Sequence, residues 1–403
     1  MQSFKVGKIV KHVKRRATQS LLIAGVLAAT SQFAHAGAEF KLGDDASMTF
    51  GIGLRTSFTT NENGAPSGTA GSDSFAVENA RIYLGGAYGK FLKATMNFNA
   101  SGGAGTAAAG TDGLRLIDGI ARFEFSPELN FWAGRMLPPS DRANLYGPFF
   151  TAAWAFPGVA QNYPQATAGR DTGAMVWGDT MGGKLSYSAG VFNGHNRGAS
   201  NMDNKVLYAG RLEVNFWDPQ TGVYRDGTYF GSKNVLALGL AGFSQADGVG
   251  TAAARGKLKI WSVDGFYEQK LSGGWVPTLE GIYYSYDTGG VLDCGSIELA
   301  GPPTVCGGTD NVGGQVAGNA YIVTGALLLP MKAGIGQFQP FLRYQKYSRD
   351  VSNSTSKATE FGLNYIIKGP NAKVSAVYTK FEDDRPTSLA SFDQFVLGVQ
   401  LQY

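Results

Sequence analysis

The sequence predicts an all-β fold, a 16-stranded antiparallel transmembrane β-barrel with long extracellular loops. Three observations predict it. The first is the chain's last segment, Phe395-Val396-Leu397-Gly398-Val399-Gln400-Leu401-Gln402-Tyr403. As a strand it puts Phe395, Leu397, Val399, Leu401 and Tyr403 on one face and Gln394, Gly398, Gln400 and Gln402 on the other, with Val396 the one lapse. Alternation with a period of two suits a wall with lipid on one side and water on the other. The second is composition: 16% of residues are charged, 12% are aromatic and 57 are glycine. Soluble domains carry about 25% charged residues. Mean hydropathy is −0.11, too low for a bundle of spanning helices. The third is that amphipathic segments recur along the chain, joined alternately by short turns and long polar loops.

Residues 1–36 read as a secretory signal peptide, which leaves 37–403 as the barrel. Lys5, Lys8, Lys11, Lys14, Arg15 and Arg16 form a basic start, Leu21 to Ala29 an apolar core, and Ala34-His35-Ala36 a small-x-small cleavage site. The apolar run is too short to span a bilayer. The full chain has 35 Lys+Arg and 31 Asp+Glu. Six of the basic residues lie in the leader, so 29 basic residues face 31 acidic ones in the remainder. The basicity of the whole chain is therefore a targeting signal and gives no support for nucleic-acid binding.

Sixteen strands are predicted near 46–60, 74–88, 91–101, 114–125, 128–136, 170–179, 183–193, 205–217, 234–244, 256–270, 274–287, 319–331, 335–348, 357–368, 371–382 and 391–403. In the first, Met48, Phe50, Ile52, Leu54 and Phe58 alternate with Thr49, Gly51, Gly53, Arg55 and Ser57. In the eighth, Tyr208, Leu212, Val214 and Phe216 alternate with Arg211, Glu213 and Asn215. A charge facing lipid at mid-bilayer costs about 2–4 kcal/mol, so Arg81, Asp118, Arg122, Glu124, Arg211, Glu213 and Glu280 are expected to face the lumen. The ninth and twelfth strands are apolar on both faces, and alternation does not orient them. Tight turns such as Gly89-Lys90 and Gly369-Pro370 mark one rim. Longer connections such as 61–73, 137–169 and 288–318 mark the other. The connection from Asp218 to Lys233 is long where a tight turn is expected.

Cys294 and Cys306 are the chain's two cysteines. They share one Gly/Pro-rich loop of an exported chain, and a disulfide is expected there. No His or further Cys is near them for a metal site. Outside the leader the sequence has one histidine, His195, in the loop Asn193-Gly194-His195-Asn196-Arg197. G-x-S-x-G and H-E-x-x-H are missing. The sequence therefore predicts no enzyme and no cofactor.

Four segments together resemble the phosphate-selective porin O and P family. They are Glu78-Asn79-Ala80-Arg81-Ile82-Tyr83-Leu84-Gly85-Gly86, then Leu114 to Arg135 running into Met136-Leu137-Pro138-Pro139, then Tyr187-Ser188-Ala189-Gly190-Val191-Phe192-Asn193-Gly194, and Tyr208-Ala209-Gly210-Arg211-Leu212-Glu213-Val214. The resemblance implies a trimeric porin of the Gram-negative outer membrane whose third loop folds into the pore. The third loop, 137–169, is the longest and contains five prolines, with Asp141 and Arg142 its only charged residues. Loops of this length are usually functional or disordered. Tyr146, Phe149, Phe150, Trp154, Phe156 and Tyr163 argue against disorder.

Arg135, Asp141, Arg142, Tyr146, Trp154 and Arg170 are the expected constriction residues, with Arg142 facing the permeation path. Here the chain departs from the family, in which clustered Lys and Arg line the pore: no lysine occurs between Lys93 and Lys184. Arg142 has Asp141 beside it and Arg170 has Asp171, so ion pairing and anion binding both remain open. The reading is a passive diffusion channel for small hydrophilic solutes or ions, with anions such as phosphate among the candidates. The alternatives are a structural or surface-interaction barrel, and an aromatic-lined pore for sugars or aromatic acids.

Overall fold

A computed structural model describes residues 37–65, 67, 69–102, 113–158, 169–194, 200–291, 317–350, 353–384 and 391–403. The leader (1–36), His195 and both cysteines, with the disulfide expected between them, lie outside the described residues.

Among the described residues eighteen strands follow one another: β1 (Ala38–Lys41), β2 (Ala46–Asn61), β3 (Ser72–Tyr88), β4 (Leu92–Gly102), β5 (Arg115–Ser126), β6 (Leu129–Met136), β7 (Asp171–Thr180), β8 (Leu185–Phe192) and β9 (Leu207–Asn215). Then come β10 (Val235–Gly250), β11 (Arg255–Glu268), β12 (Val276–Asp287), β13 (Gly318–Leu328), β14 (Lys332–Ala333), β15 (Gly336–Arg349), β16 (Thr355–Lys368), β17 (Ala372–Asp383) and β18 (Phe392–Gln402). One helical turn, α1 (Arg142–Tyr146), lies between β6 and β7.

All of these strands except β1 and β14 form the wall. Each wall strand pairs antiparallel with the next, and β18 pairs with β2, which closes a barrel of sixteen. Closure gives the wall's backbone groups partners and leaves no open edge toward lipid. The sixteen expected strands are these sixteen.

At the seam, β18 runs along β2 as far as Gln402 opposite Gly53. Tyr403 and Ile52 exchange two backbone hydrogen bonds. Below that point β1 takes over the same edge of β2, from Ala38 opposite Phe50 to Lys41 opposite Ser47. The sequence reading missed β1 because four residues are too few to show a period.

The faces follow the predicted alternation. Ile52, Leu54, Tyr208, Leu212 and Val214 are exposed on the outside, while Arg55, Arg211, Glu213 and Asn215 are buried inside. The two strands that the sequence left unoriented are β10 and β13. In β10, Leu238 and Leu240 point out and Val235, Ala237, Ala241 and Phe243 point in. In β13, Tyr321 and Val323 point out and Ala320, Ile322, Ala326 and Leu328 point in. Their inner faces are apolar because chain packs against them from within. Tyr229 of the connection 218–233 sits on Val235, Ala237 and Phe266. Ala152, Ala153 and Trp154 of the third loop cluster with Ala326, Phe341, Val377 and Val396. The apolar core therefore lies inside the barrel and is made by two inserted segments.

The orientation of β10 has a direct test. Leu240 is 52% exposed on the outer face, so Leu240→Arg is expected to destabilise the inserted barrel by about 2–4 kcal/mol if it lies at mid-bilayer. Equilibrium urea unfolding in lipid vesicles measures it, and an unchanged midpoint would reverse the assigned face.

Candidate permeation pathway

The third loop enters the lumen from β6 and is held by its backbone. Asp141 caps α1, accepting from the Asn144 amide at 3.2 Å, and also accepts from the Tyr284 hydroxyl at 2.8 Å. Burial and then the neighbouring Asp264 push the Asp141 carboxyl up to about 6. From there on, wall side chains donate to loop carbonyls. Arg211 reaches Ser140 O, Gln400 reaches Phe149 O, and Lys373 reaches Thr151 O. Asn364 reaches Ala152 O, Arg55 reaches Trp154 O, and Arg343 reaches Ala155 O. An inserted loop has no strand beside it, and a buried carbonyl without a donor is costly. The wall supplies the donors.

Two glycines make seats for the loop's aromatic rings. A Cβ at Gly398 would lie 2.4 Å from the Trp154 ring, and one at Gly53 would lie 2.9 Å from the Phe149 ring. Trp154 donates its indole N–H to Glu78 at 2.9 Å, with the Arg55 guanidinium 4.0 Å from its ring centroid. Tyr146 donates its hydroxyl to Glu280 at 3.3 Å.

Arg142 does not line an open lumen; it is fully buried. It pairs with Glu280 at 3.5 Å, donates to Gln220 and to the Asp226 carbonyl, and stacks 3.6 Å from the Phe266 ring centroid. Its ion-pair partner is therefore Glu280, from the wall, and its neighbour Asp141 serves as a helix cap. Similarly, Arg170 pairs with Asp118 at 3.1 Å, while Asp171 accepts from the amides of Thr172 and Gly194. Arg135 also departs from expectation. It lies on the side of β6 that carries the exposed Phe131, away from the buried Trp132 and Met136, and it donates to the Leu116 carbonyl.

The connection 218–233 explains itself once placed. It leaves the short-turn rim and turns into the barrel, where Gly227 N–H donates to Phe150 O and Arg225 N–H to Leu145 O of the third loop. A buried chain of alternating charge, Asp264–Arg211–Glu213–Arg225, ties it to the wall, with contacts of 2.5, 2.6 and 2.9 Å. Nothing in 218–233 read alone signals this, because its partners are supplied by the third loop and by distant wall strands.

The two insertions also reach the other side of the lumen: the third loop packs on Gly53 and Arg55 of β2 and bonds to Glu78 of β3, and the connection meets Trp132 of β6. The inner faces of β2 to β5 carry the remaining polar lining. There Arg81 donates to Asn99, and Asn97 donates to Asp118. Arg122 and Lys93 share Glu124 at 2.5 and 2.6 Å, and Arg55 approaches Glu78 at 3.6 Å. Of the charged side chains just named, with Arg170 beside them, five cations (Arg55, Arg81, Lys93, Arg122, Arg170) stand against three carboxylates (Glu78, Asp118, Glu124). Arg55 and Glu78 were legible as strand residues; their contacts with Trp154, some 76–99 positions away, were not.

The role of Arg142 is testable. Arg142→Ala leaves the Glu280 carboxylate buried without its cation, a change that costs about 3–5 kcal/mol. Adding Glu280→Gln is expected to recover part of the loss in urea unfolding. Wild-type stability in Arg142→Ala would remove the residue from the framework.

The profile of the family described as phosphate-selective porin O and P matches residues 309–403. No curated protein sequence matches the chain significantly. Among solved structures, the chain is similar to the anion-selective porin from Comamonas acidovorans, at 12% identity over 89% of this chain and 100% of that chain, with a TM-score of 0.59. It is similar to OmpF of Salmonella typhi in complex with daunomycin, at 12% identity over 91% of this chain and 100% of that chain, with a TM-score of 0.58. It is also similar to the trimer form of in-vitro folded OmpT of Vibrio cholerae, at 12% identity over 89% and 100%, with a TM-score of 0.53. At this identity the likeness is one of fold. The chain is an outer-membrane β-barrel of porin architecture that resembles the phosphate-selective porin O and P family.

Proposed function

We propose that the barrel is a passive diffusion channel for small hydrophilic solutes, that it prefers anions, and that it performs no catalysis. The observation that carries the preference is the charge on the inner faces of β2 to β5 together with Arg170, five cations against three carboxylates. In a narrow path with low-dielectric walls, such an excess raises the local anion concentration even where each guanidinium has a partner. The anion selectivity of the Comamonas porin and the phosphate selectivity by which the matching family is described support the same reading. The aromatic-lined alternative loses support, because Phe149 and Trp154 are packed against the wall. By analogy with the trimeric neighbour, a homotrimer is the proposed assembly. Residues 1–36 are proposed to be removed on export, and N-terminal sequencing of the inserted protein is expected to start at Gly37.

Single-channel recording tests the reading. The wild-type barrel is expected to pass steady current with an anion-directed reversal potential in a salt gradient. Arg81→Ala is expected to lower the anion/cation permeability ratio. The change should shrink in molar salt, where the Debye length falls to about 3 Å. A barrel that inserts and stays silent would favour the structural alternative, and a cation-directed potential would overturn the anion preference.

A further inference from the structure

We propose that the connection 218–233 is a hinged flap across the short-turn mouth of the barrel, latched by the Glu268 carboxylate, and that it limits conductance separately from the third loop. The proposal rests on the channel reading above. Four observations carry it.

The first is reach. The Tyr224 ring lies 6.0 Å from Trp132 on β6. Phe230 packs on Val276, Leu328 and Ile366, which belong to β12, β13 and β16. A segment that leaves the wall between β9 and β10 therefore touches strands on both flanks, from β6 on one side to β16 on the other.

The second is the hinge. Asp218 N–H donates to Asn234 O, and Asn234 N–H donates back to the Asp218 carboxylate. Both ends of the flap are thus pinned at one point of the rim. Everything beyond this neck is free of the wall's backbone ladder and is held by side chains and by two backbone bonds to the third loop.

The third is the latch. Glu268, on the inner face of β11, accepts from the amides of Tyr229 at 3.0 Å and Gly231 at 2.9 Å. The hydroxyls of Thr228 and Thr278 donate to it at 2.9 Å each. One wall carboxylate thus gathers three flap positions, Thr228, Tyr229 and Gly231, around Phe230.

The fourth is strain. Phe230 has φ 53° and Gly231 φ 76°. The left-handed region is natural for glycine and unfavourable for a bulky side chain. Phe230 is held there by the amides on either side, which Glu268 binds, and by its apolar seat. A strained turn gathered by one carboxylate has two available arrangements, docked and released, within a segment that Arg142, Glu213 and Asp179 also hold.

Glu268→Gln keeps shape and loses the charge that gathers the amides. Full-length protein carrying it, recorded in planar bilayers in potassium chloride, is expected to visit a second level with about two-fold higher conductance than wild type. Replacing 221–231 with a short Gly-Ser turn is expected to hold that level permanently. The permeability ratio set on β2 to β5 should be retained in both. Should the shortened chain fail to fold, the Glu268→Gln record decides by itself. Wild-type current with no higher level in a folded Glu268→Gln barrel overturns the flap and leaves the channel reading standing. A higher level accompanied by a changed permeability ratio assigns the effect to the third loop and overturns the flap's separate role. Silence in wild type and variants overturns both readings, whereas a silent wild type beside a conducting variant sustains the flap.

Discussion

The organisation inside this barrel depends on one constraint, that peptide groups placed where neither water nor a strand neighbour is at hand must find partners. The wall meets it by closing on itself. The inserted third loop cannot, since it crosses the lumen without running beside a strand. Its carbonyls are taken instead by Arg211, Gln400, Lys373, Asn364, Arg55 and Arg343. These side chains come from the neighbouring strands β15 to β18 and β2 and from β9, so the loop's path is fixed at many points while the loop itself carries almost no charge. The composition of the loop and that of the wall are two halves of one arrangement.

The same arrangement decides what inward charges do. A lumen-facing arginine in a barrel of this type has two possible employers, the solute and the protein. Arg142 and Arg343 are engaged by the framework: Glu280 and Glu360 hold them, and exposure is at most 1%. Arg211 and Arg225 form part of the chain that ties down the connection 218–233. The group on β2 to β5 differs in balance, since its cations outnumber its carboxylates. Position on the inner face is therefore not enough to identify a residue that acts on solute; its ledger of partners is needed as well.

Much of the fold was legible because a barrel strand is a local object. Alternation, tight turns and the terminal aromatic located all sixteen wall strands, and the inner positions of Arg81, Asp118, Arg122, Glu124, Arg211 and Glu213 followed from parity. Parity failed at β10 and β13, where inserted chain makes the inner face as apolar as the outer. Neighbour logic failed at Arg142 and Arg170: a helix cap claimed Asp141, two backbone amides claimed Asp171, and the arginines found Glu280 and Asp118 on other strands. Such pairings span tens to more than a hundred positions and leave no local trace. The connection 218–233 was unreadable for the same reason.

The seats of the third loop have a consequence for the integrity of the wall. Gly53 and Arg55 belong to β2, Gly398 and Gln400 to β18, and between these two strands the first and last parts of the chain meet. Phe149 lies over Gly53 while its carbonyl is held by Gln400; Trp154 lies over Gly398 while its carbonyl is held by Arg55. The loop is thus sewn to both sides of the seam, a thwart fastened across the last plank to be fitted. Prising β2 from β18 to release material sideways into lipid would first require unpicking that stitching. Assembly faces the mirror image of the problem, since the stitches have both anchorages only once the cylinder is shut.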